Sequence, residues 1–345
     1  MVAPVTLIAE WMALPWGGPR LEPMVFGTDD PGLMVARLDG LCRSLLGSGV
    51  ADGLFHTASV GCVTGLRLED GRSVVVKAYQ ARWRPPFLAA VAGVQAHLAE
   101  AGFPCPRPLG GPASVGGGWA TVETYLPDPG QPPIEPAMSE ASAAGLARVV
   151  ELCRSVRAAG LSPHPMDSPD HGIYPEPHNP IFDFEATAAG AGWIDDLAVA
   201  AKRLRDGREE AKVVAHTDWS ARNVRLRVEG VAAAYDWDSL ALVTEPTAVG
   251  QAAATWSGRG EGDEPMAPSA EEVAAYVAAY EAGRGRSFTV EERRAAGAAA
   301  LWALAYTARC EHALAALVPD GAGPQRAIGR LRLEGDRLLT LDRLV

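Results

Sequence analysis

One stretch limits the fold more than any other. Residues 213–243 read VVAHTDWSARNVRLRVEGVAAAYDWDSLALV. Val213, Val214 and Ala215 form a short apolar run, and Val224, Leu226 and Val228 then alternate with Arg225 and Arg227, which is a strand pattern. Glu229 and Gly230 supply a turn, and a second apolar strand begins at Val231 and ends in Asp236, Trp237 and Asp238. The polar interval from His216 to Asn223 is therefore a loop leading into a hairpin, on connecting backbone of the kind that carries function. A tight hairpin folds Asn223, at the start of its first strand, and Asp236, at the end of its second, onto one rim. An amide oxygen and a carboxylate brought together in this way suit Mg²⁺, whose coordination is completed by water and substrate phosphates. Asp218 has no lysine or arginine beside it in sequence and is placed to accept a proton. Singly, each of these residues has a plainer explanation, since Asp and Asn are common turn formers and a lone histidine is usually structural. The order, spacing and strand context taken together favour a phosphoryl-transfer loop.

The constellation resembles the aminoglycoside phosphotransferase and choline kinase-like family, relatives of the protein kinases. Their catalytic loop reads roughly His-Gly-Asp-Leu, with Asn five residues after the Asp and a further Asp at a later strand end. The matching residues here are His216, Asp218, Asn223 and Asp236. The resemblance implies that Asp218 is the base for the attacking hydroxyl, that Asn223 and Asp236 hold Mg²⁺, and that His216, with Asp238, supports the loop. The sequence departs from the family at Thr217, where Gly is usual, and at Trp219, where Leu is usual.

Upstream, DGLFHTAS, CVTGLRLE and SVVVKAY are three strand-like runs, the last two joined by a turn at Asp70-Gly71. Alone, Lys77 at the end of the third run reads as a strand lysine reaching solvent. Within this set it resembles the family's phosphate-binding strand lysine, and Ser59 and Gly61, in the TASVG loop, resemble the cover over the phosphates without a full glycine-rich motif. The segment 86–102 reads as a helix closed by Gly102. The family places a Glu there to pair with the lysine, but this helix offers only Gln95 until Glu100 near its end. Residues 117–130 read as a strand into a Pro/Gly break. They resemble the hinge that bonds the adenine edge, with Glu123 and Tyr125 as its members, although an ordinary edge strand fits the residues equally well.

The remainder reads as helical, over 139–160, over 193–212 and through alanine-rich segments beyond 250. N-caps are expected at Ser269 and Thr289. The Pro-rich segment 162–185 reads as a substrate-side or surface loop, and not as a metal site. Glu261, Asp263 and Glu264, in an acidic glycine-rich loop, are candidates for contact with substrate amino groups. A solvated loop is the plainer reading.

The net charge of −11 disfavours nucleic acid as a partner and tolerates a cationic substrate. Five widely spaced cysteines without a Cys-x-x-Cys pair suggest a reducing cytoplasm, with neither a disulfide framework nor zinc. No stretch is apolar enough to span a membrane, the first residues do not read as a signal peptide, and Ala- and Arg-rich usage suggests a bacterial source.

The resulting expectation is an α+β, protein-kinase-like two-lobed fold. Residues 1–40 would be an arm and the start of the first helix. Residues 41–125 would form an antiparallel ATP-binding N-lobe, and residues 126–345 a helical C-lobe carrying the catalytic loop. The expected activity is ATP- and Mg²⁺-dependent phosphoryl transfer to a hydroxyl of a small molecule such as an aminoglycoside, amino sugar or amino alcohol. A catalytically weak nucleotide-binding protein of the same fold and a helical interaction module are the alternatives.

Overall fold

The computed structural model describes residues 2–14, 20–162, 164–165, 172–206, 211–259, 265–317 and 325–344. Its N-terminal part is a five-stranded antiparallel sheet in the order β1-β2-β3-β5-β4. The strands are β1 (Val50–Ala58), β2 (Cys62–Leu68), β3 (Ser73–Tyr79), β4 (Pro108–Val115) and β5 (Gly118–Thr124). The Asp70-Gly71 turn joins β2 to β3, with Gly71 at φ 87° supplying the backbone that a side chain would resist.

The helix expected to start before residue 40 is α3 (Pro31–Leu46), and the arm expected ahead of it instead carries two helices, α1 (Pro4–Ala13) and α2 (Leu21–Phe26). Their Ile8, Val25, Phe26, Met34 and Leu38 are buried in one cluster with Cys62, Leu66, Val74, Val76 and Val122 of the sheet. The physical reason is apolar content without visible period. α2 is only six residues long, too short to display a helical repeat, yet it buries Val25 and Phe26 fully. Edge strand β4 also goes beyond expectation, because its prolines and glycines argue against a strand and are tolerated only at an edge.

Between β3 and β4, α4 (Pro85–Glu100) runs as expected. Its buried Phe87, Leu88, Val91, Val94 and Leu98 join the larger core, which continues through Trp219 and Trp237 into the helical lobe. That lobe contains α5 (Met138–Leu152), α6 (Gly192–Asp206), α7 (Glu245–Thr255), α8 (Ala270–Arg284), α9 (Val290–Ala315) and α10 (Arg326–Leu338). Helix α5 stops eight residues before the expected end at 160, giving way to irregular backbone and a 3₁₀ turn at Ala159–Leu161. Ser269 and Thr289 cap α8 and α9 in reciprocal capping boxes with Glu272 and Glu292. The five cysteines are buried and unbridged, and no described helix is long and apolar enough to cross a membrane.

Four short strands frame the remaining loop. β6 (Lys212–His216) pairs with β9 (Leu240–Thr244), and β7 (Val224–Arg227) pairs with β8 (Gly230–Ala234). The second strand of the expected hairpin therefore ends at Ala234. Residues 237–239 make a 3₁₀ turn, and the chain departs into β9 to pair elsewhere.

Candidate active site

The hairpin brings its ends together as the sequence predicts. Val224 pairs with Ala234, and Tyr235 N–H donates to Asn223 O at 2.9 Å. Asp236 follows at φ 60°, ψ 47°, the left-handed region. It is the one non-glycine residue at positive φ among the described residues, and such backbone is costly and concentrates at functional sites.

The loop from 216 to 223 closes on itself. Asn223 Nδ2 donates to Asp218 Oδ2 at 2.7 Å and to Asp218 O at 3.1 Å, while Ser220 Oγ lies 3.4 Å from Asp218 Oδ1. Asp218 remains exposed. With both amide hydrogens of Asn223 committed, its carbonyl oxygen is left as an acceptor.

Behind the loop, His216 is fully buried, and Nε2 lies 3.0 Å from Tyr235 O. A carbonyl only accepts, so the proton is on Nε2. The ring meets Trp219 and Trp237 edge-on, with centroids 5.5 and 5.3 Å away. Burial holds this histidine below its ordinary pKa, and so neutral. Its ring fills the space behind the loop and holds Tyr235 O. Trp219, in place of the usual Leu, is 1% exposed and donates Nε1–H to Ser142 O at 3.0 Å. Thr217, in place of Gly, gives both its N–H (3.0 Å) and its hydroxyl (2.8 Å) to Ser239 O. The departure at 217 thus ties the loop to the turn that carries Asp236 and Asp238.

Across the cleft, Lys77 Nζ reaches Asp236 Oδ1 at 2.6 Å and Asp238 Oδ2 at 3.1 Å. The lysine is 5% exposed. Burial alone would lower its pKa, but the two aspartates outweigh burial and raise it. Asp236 and Asp238 share this one cation. Burial opposes ionisation of Asp236, yet Lys77 pulls its pKa down, whereas burial and then the charge of Asp236 push Asp238 up.

The β1–β2 turn holding Ser59 and Gly61 packs on β3. A Cβ at Gly61 would stand 2.5 Å from Ala78 O, which only glycine avoids. Ser59 O accepts from Asn179 Nδ2 at 2.9 Å, and Asn179 is 3% exposed. The same Pro-rich segment joins Glu176 to Arg82 at 2.9 Å and sets His178 Nδ1 2.9 Å from the Tyr306 hydroxyl on α9. Burial lowers the His178 pKa to about 4, and Asp218 is the acid nearest enough to oppose that. This segment, read only as a substrate-side or surface loop, straps the β1–β2 turn to the helical lobe. The signal for it was an unusually long, proline-interrupted loop ahead of α6.

The hinge residues separate. Tyr125 N–H donates to Ser73 O at 3.2 Å, and its ring tilts against Phe55. Glu123 lies inside β5, opposite Val75 of β3, and its carboxylate turns to Gln95 Nε2 at 2.8 Å. Beyond them, Arg225 grips Asp128 with two 2.8 Å bonds, and the Tyr235 hydroxyl donates to Pro127 O at 3.2 Å, fixing the inter-lobe linker to the hairpin. Glu261, Asp263 and Glu264 lie outside the described residues. Among the described residues no three His, Cys, Asp or Glu side chains form a metal cluster. Asn223 and Asp236 instead offer the sparse oxygen set that suits an ion shared with phosphates.

The profile described as the phosphotransferase enzyme family matches residues 64–296. No curated protein matches the sequence. Among solved structures, the amicoumacin kinase hAmiN in complex with AMP-PNP, Ca²⁺ and Ami is similar at TM-score 0.59 and 12% identity, over 84% of this chain and 89% of that one. An aminoglycoside phosphotransferase from Alicyclobacillus acidocaldarius subsp. acidocaldarius DSM 446 is similar at TM-score 0.50 and 15% identity, over 88% and 94%. Choline kinase from Cryptosporidium parvum Iowa II aligns at TM-score 0.49 and 11% identity, over 89% and 94%.

Proposed function

Since this chain belongs to the phosphotransferase enzyme family, we propose that it moves the γ-phosphoryl group of ATP onto a hydroxyl of a small molecule. The observation that carries the reading is the Asp218–Asn223 pair at 2.7 Å, on a loop bonded through Thr217 to the turn whose aspartates hold Lys77. Asp218 is exposed, accepts from Asn223, and has no cation bonded to it among the described residues. It takes the proton of the acceptor hydroxyl as that oxygen bonds the γ-phosphorus and the bridging oxygen leaves with ADP. Lys77 supplies positive charge to the phosphates, and the β1–β2 turn at Ser59–Gly61 lies over them. Asn223 and Asp236 would hold Mg²⁺, with Asp238 beside them. When bound, the ion neutralises charge that builds on the transferring group.

The acceptor classes are an aminoglycoside or other amino-bearing antibiotic, an amino sugar or an amino alcohol. The net charge of −11 supports a cationic acceptor. An acceptor screen with Mg-ATP, read as acceptor-dependent ADP formation and by phosphorus NMR of the product, tests the reading. One class should give turnover that Asp218→Asn removes. ADP formation indifferent to every acceptor would overturn it.

A further inference from the structure

Helix α4 carries no carboxylate before Glu100 at its last position, yet a carboxylate faces Lys77 from elsewhere. Lys77 lies opposite Thr121 in the β3–β5 register, and Glu123 lies opposite Val75. Residues two apart on a strand share a face, so Glu123 and Lys77 are diagonal neighbours on the side of the sheet that α4 covers. Glu123 is 9% exposed and Gln95 4%. Gln95, midway along α4, donates one Nε2 hydrogen to Glu123 Oε2 at 2.8 Å and the other to Pro106 O at 2.9 Å. Oε1 of Glu123 takes no hydrogen bond from any described residue. Between these groups is a water-sized cavity lined by Lys77, Gln95, Glu123 and Asp238. Burial raises the Glu123 pKa, and Lys77 and Gln95 act against that rise.

We propose that Glu123, held by Gln95, is the positioning residue for Lys77. The counter-charge of the phosphate-binding lysine has moved from the helix to the neighbouring strand, and the helix keeps only the amide that aims it. This rests on the phosphotransferase reading of Lys77. The motive is that the two groups touching Lys77 now, Asp236 and Asp238, come from the other lobe and are called on when Mg-ATP binds. Glu123 shares a sheet with Lys77 and stays with it however the lobes stand. A buried ammonium stripped of its partners is strongly disfavoured, so a companion within the same sheet keeps it charged and directed.

The experiment compares wild type with Glu123→Gln and with the exchanged pair Gln95→Glu/Glu123→Gln, which returns a carboxylate to the helix and keeps an amide opposite it. Each is measured by calorimetry for its Kd for Mg-ATP, by kinetics for KM and kcat, and by Tm. Glu123→Gln should weaken Mg-ATP binding and lower kcat/KM for ATP by roughly 10- to 100-fold, the range typical of groups that orient a ligand-binding side chain. Its KM for the acceptor should stay unchanged, and the exchanged pair should recover most of the loss. Nucleotide affinity in Glu123→Gln equal to wild type overturns the proposal. So does an exchanged pair that folds with wild-type Tm yet binds as poorly as the single variant. If Glu123→Gln does not fold, the exchanged pair decides alone, since a purely structural Glu123 predicts no recovery of affinity. A wild type that binds Mg-ATP but phosphorylates nothing defeats the functional reading while the binding comparison still reads Glu123. A wild type that binds no nucleotide defeats both.

Discussion

The carboxylate of Asp218 and the ammonium of Lys77 are held by different means. Among the described residues, the hydrogen-bond partners of the Asp218 side chain come from its own loop, two to five residues away. The bonded partners of Lys77 lie 159 and 161 residues further on, and Glu123 lies 46 further on. The first arrangement is written in a short string of sequence and survives relative movement of the lobes. The second exists only when sheet, helix and turn have met, and it changes whenever they part. The proposed proton acceptor is thus built from local geometry alone. The buried ammonium proposed to meet the phosphates sits in a negative environment assembled from several elements.

The largest expected effect probes the local side. Asp218→Asn should lower transfer by about 10² to 10⁴ and leave the Kd for Mg-ATP unchanged, measured by steady-state turnover and calorimetry. A change in nucleotide affinity would break the comparison, because it would join Asp218 to the lysine cluster. Trp219→Ala asks whether the loop is as self-sufficient as its hydrogen bonds suggest. Trp219 is buried against Phe103 and His216, and its loss should cost about 3–5 kcal/mol of stability by denaturant unfolding. Near-wild-type stability would mean that the loop stands without that pillar.

Asp236→Ala probes the long-range side. It should weaken Mg-ATP binding by at least roughly tenfold, the low end for losing a group at a metal site, and weaken binding of metal-free nucleotide far less. Equal losses with and without Mg²⁺ would make Asp236 a partner of Lys77 and nothing more. Asn179→Ala removes one neutral bond between the strap and Ser59 O. It should raise KM for ATP by no more than about 1 kcal/mol equivalent, with kcat nearly unchanged. The smallest effect is expected from hydrogen exchange. Lys77 already has Asp236 and Asp238 as partners, so β3 and α4 should be protected before nucleotide arrives and gain little on adding Mg-ATP. Strong new protection confined to residues 73–100 would show that these pairs do not organise the lobe.

The same division separates what the sequence discloses from what it conceals. The hairpin, the loop from His216 to Asn223, the three strands from 50 to 79 and the caps at Ser269 and Thr289 all follow from short-range rules of alternation, turn chemistry and side-chain capping. Strand β4 does not, because Pro108, Gly110, Gly111 and Pro112 contradict it locally and only an edge position in the sheet allows it. Helices α1 and α2 escape notice because tertiary burial, and not periodicity, makes them helices. Glu123 reads in the sequence as a member of the hinge, but it lies inside β5, and which way its carboxylate turns depends on the register of β5 against β3, which a one-residue slip reverses. What Gln95 does in place of a helix carboxylate was equally hidden, since an amide has meaning there only opposite its acid. The docking of Asn179 on Ser59, 120 residues away, left no local mark beyond the length of its loop.

The left-handed backbone at Asp236 has a consequence for descent. An aspartate at φ 60° pays a conformational cost of about 1 kcal/mol that glycine would not. A gene copy freed from any demand for catalysis would therefore tend to lose this side chain, because glycine at 236 is gentler on the backbone and still leaves Asp238 to neutralise Lys77. With Asp236 in the metal-holding role proposed above, selection for stability and selection for chemistry pull in opposite directions at this one position. In diverged descendants of this chain, an aspartate persisting at 236 would be the mark of continued use, and a glycine the mark of retirement.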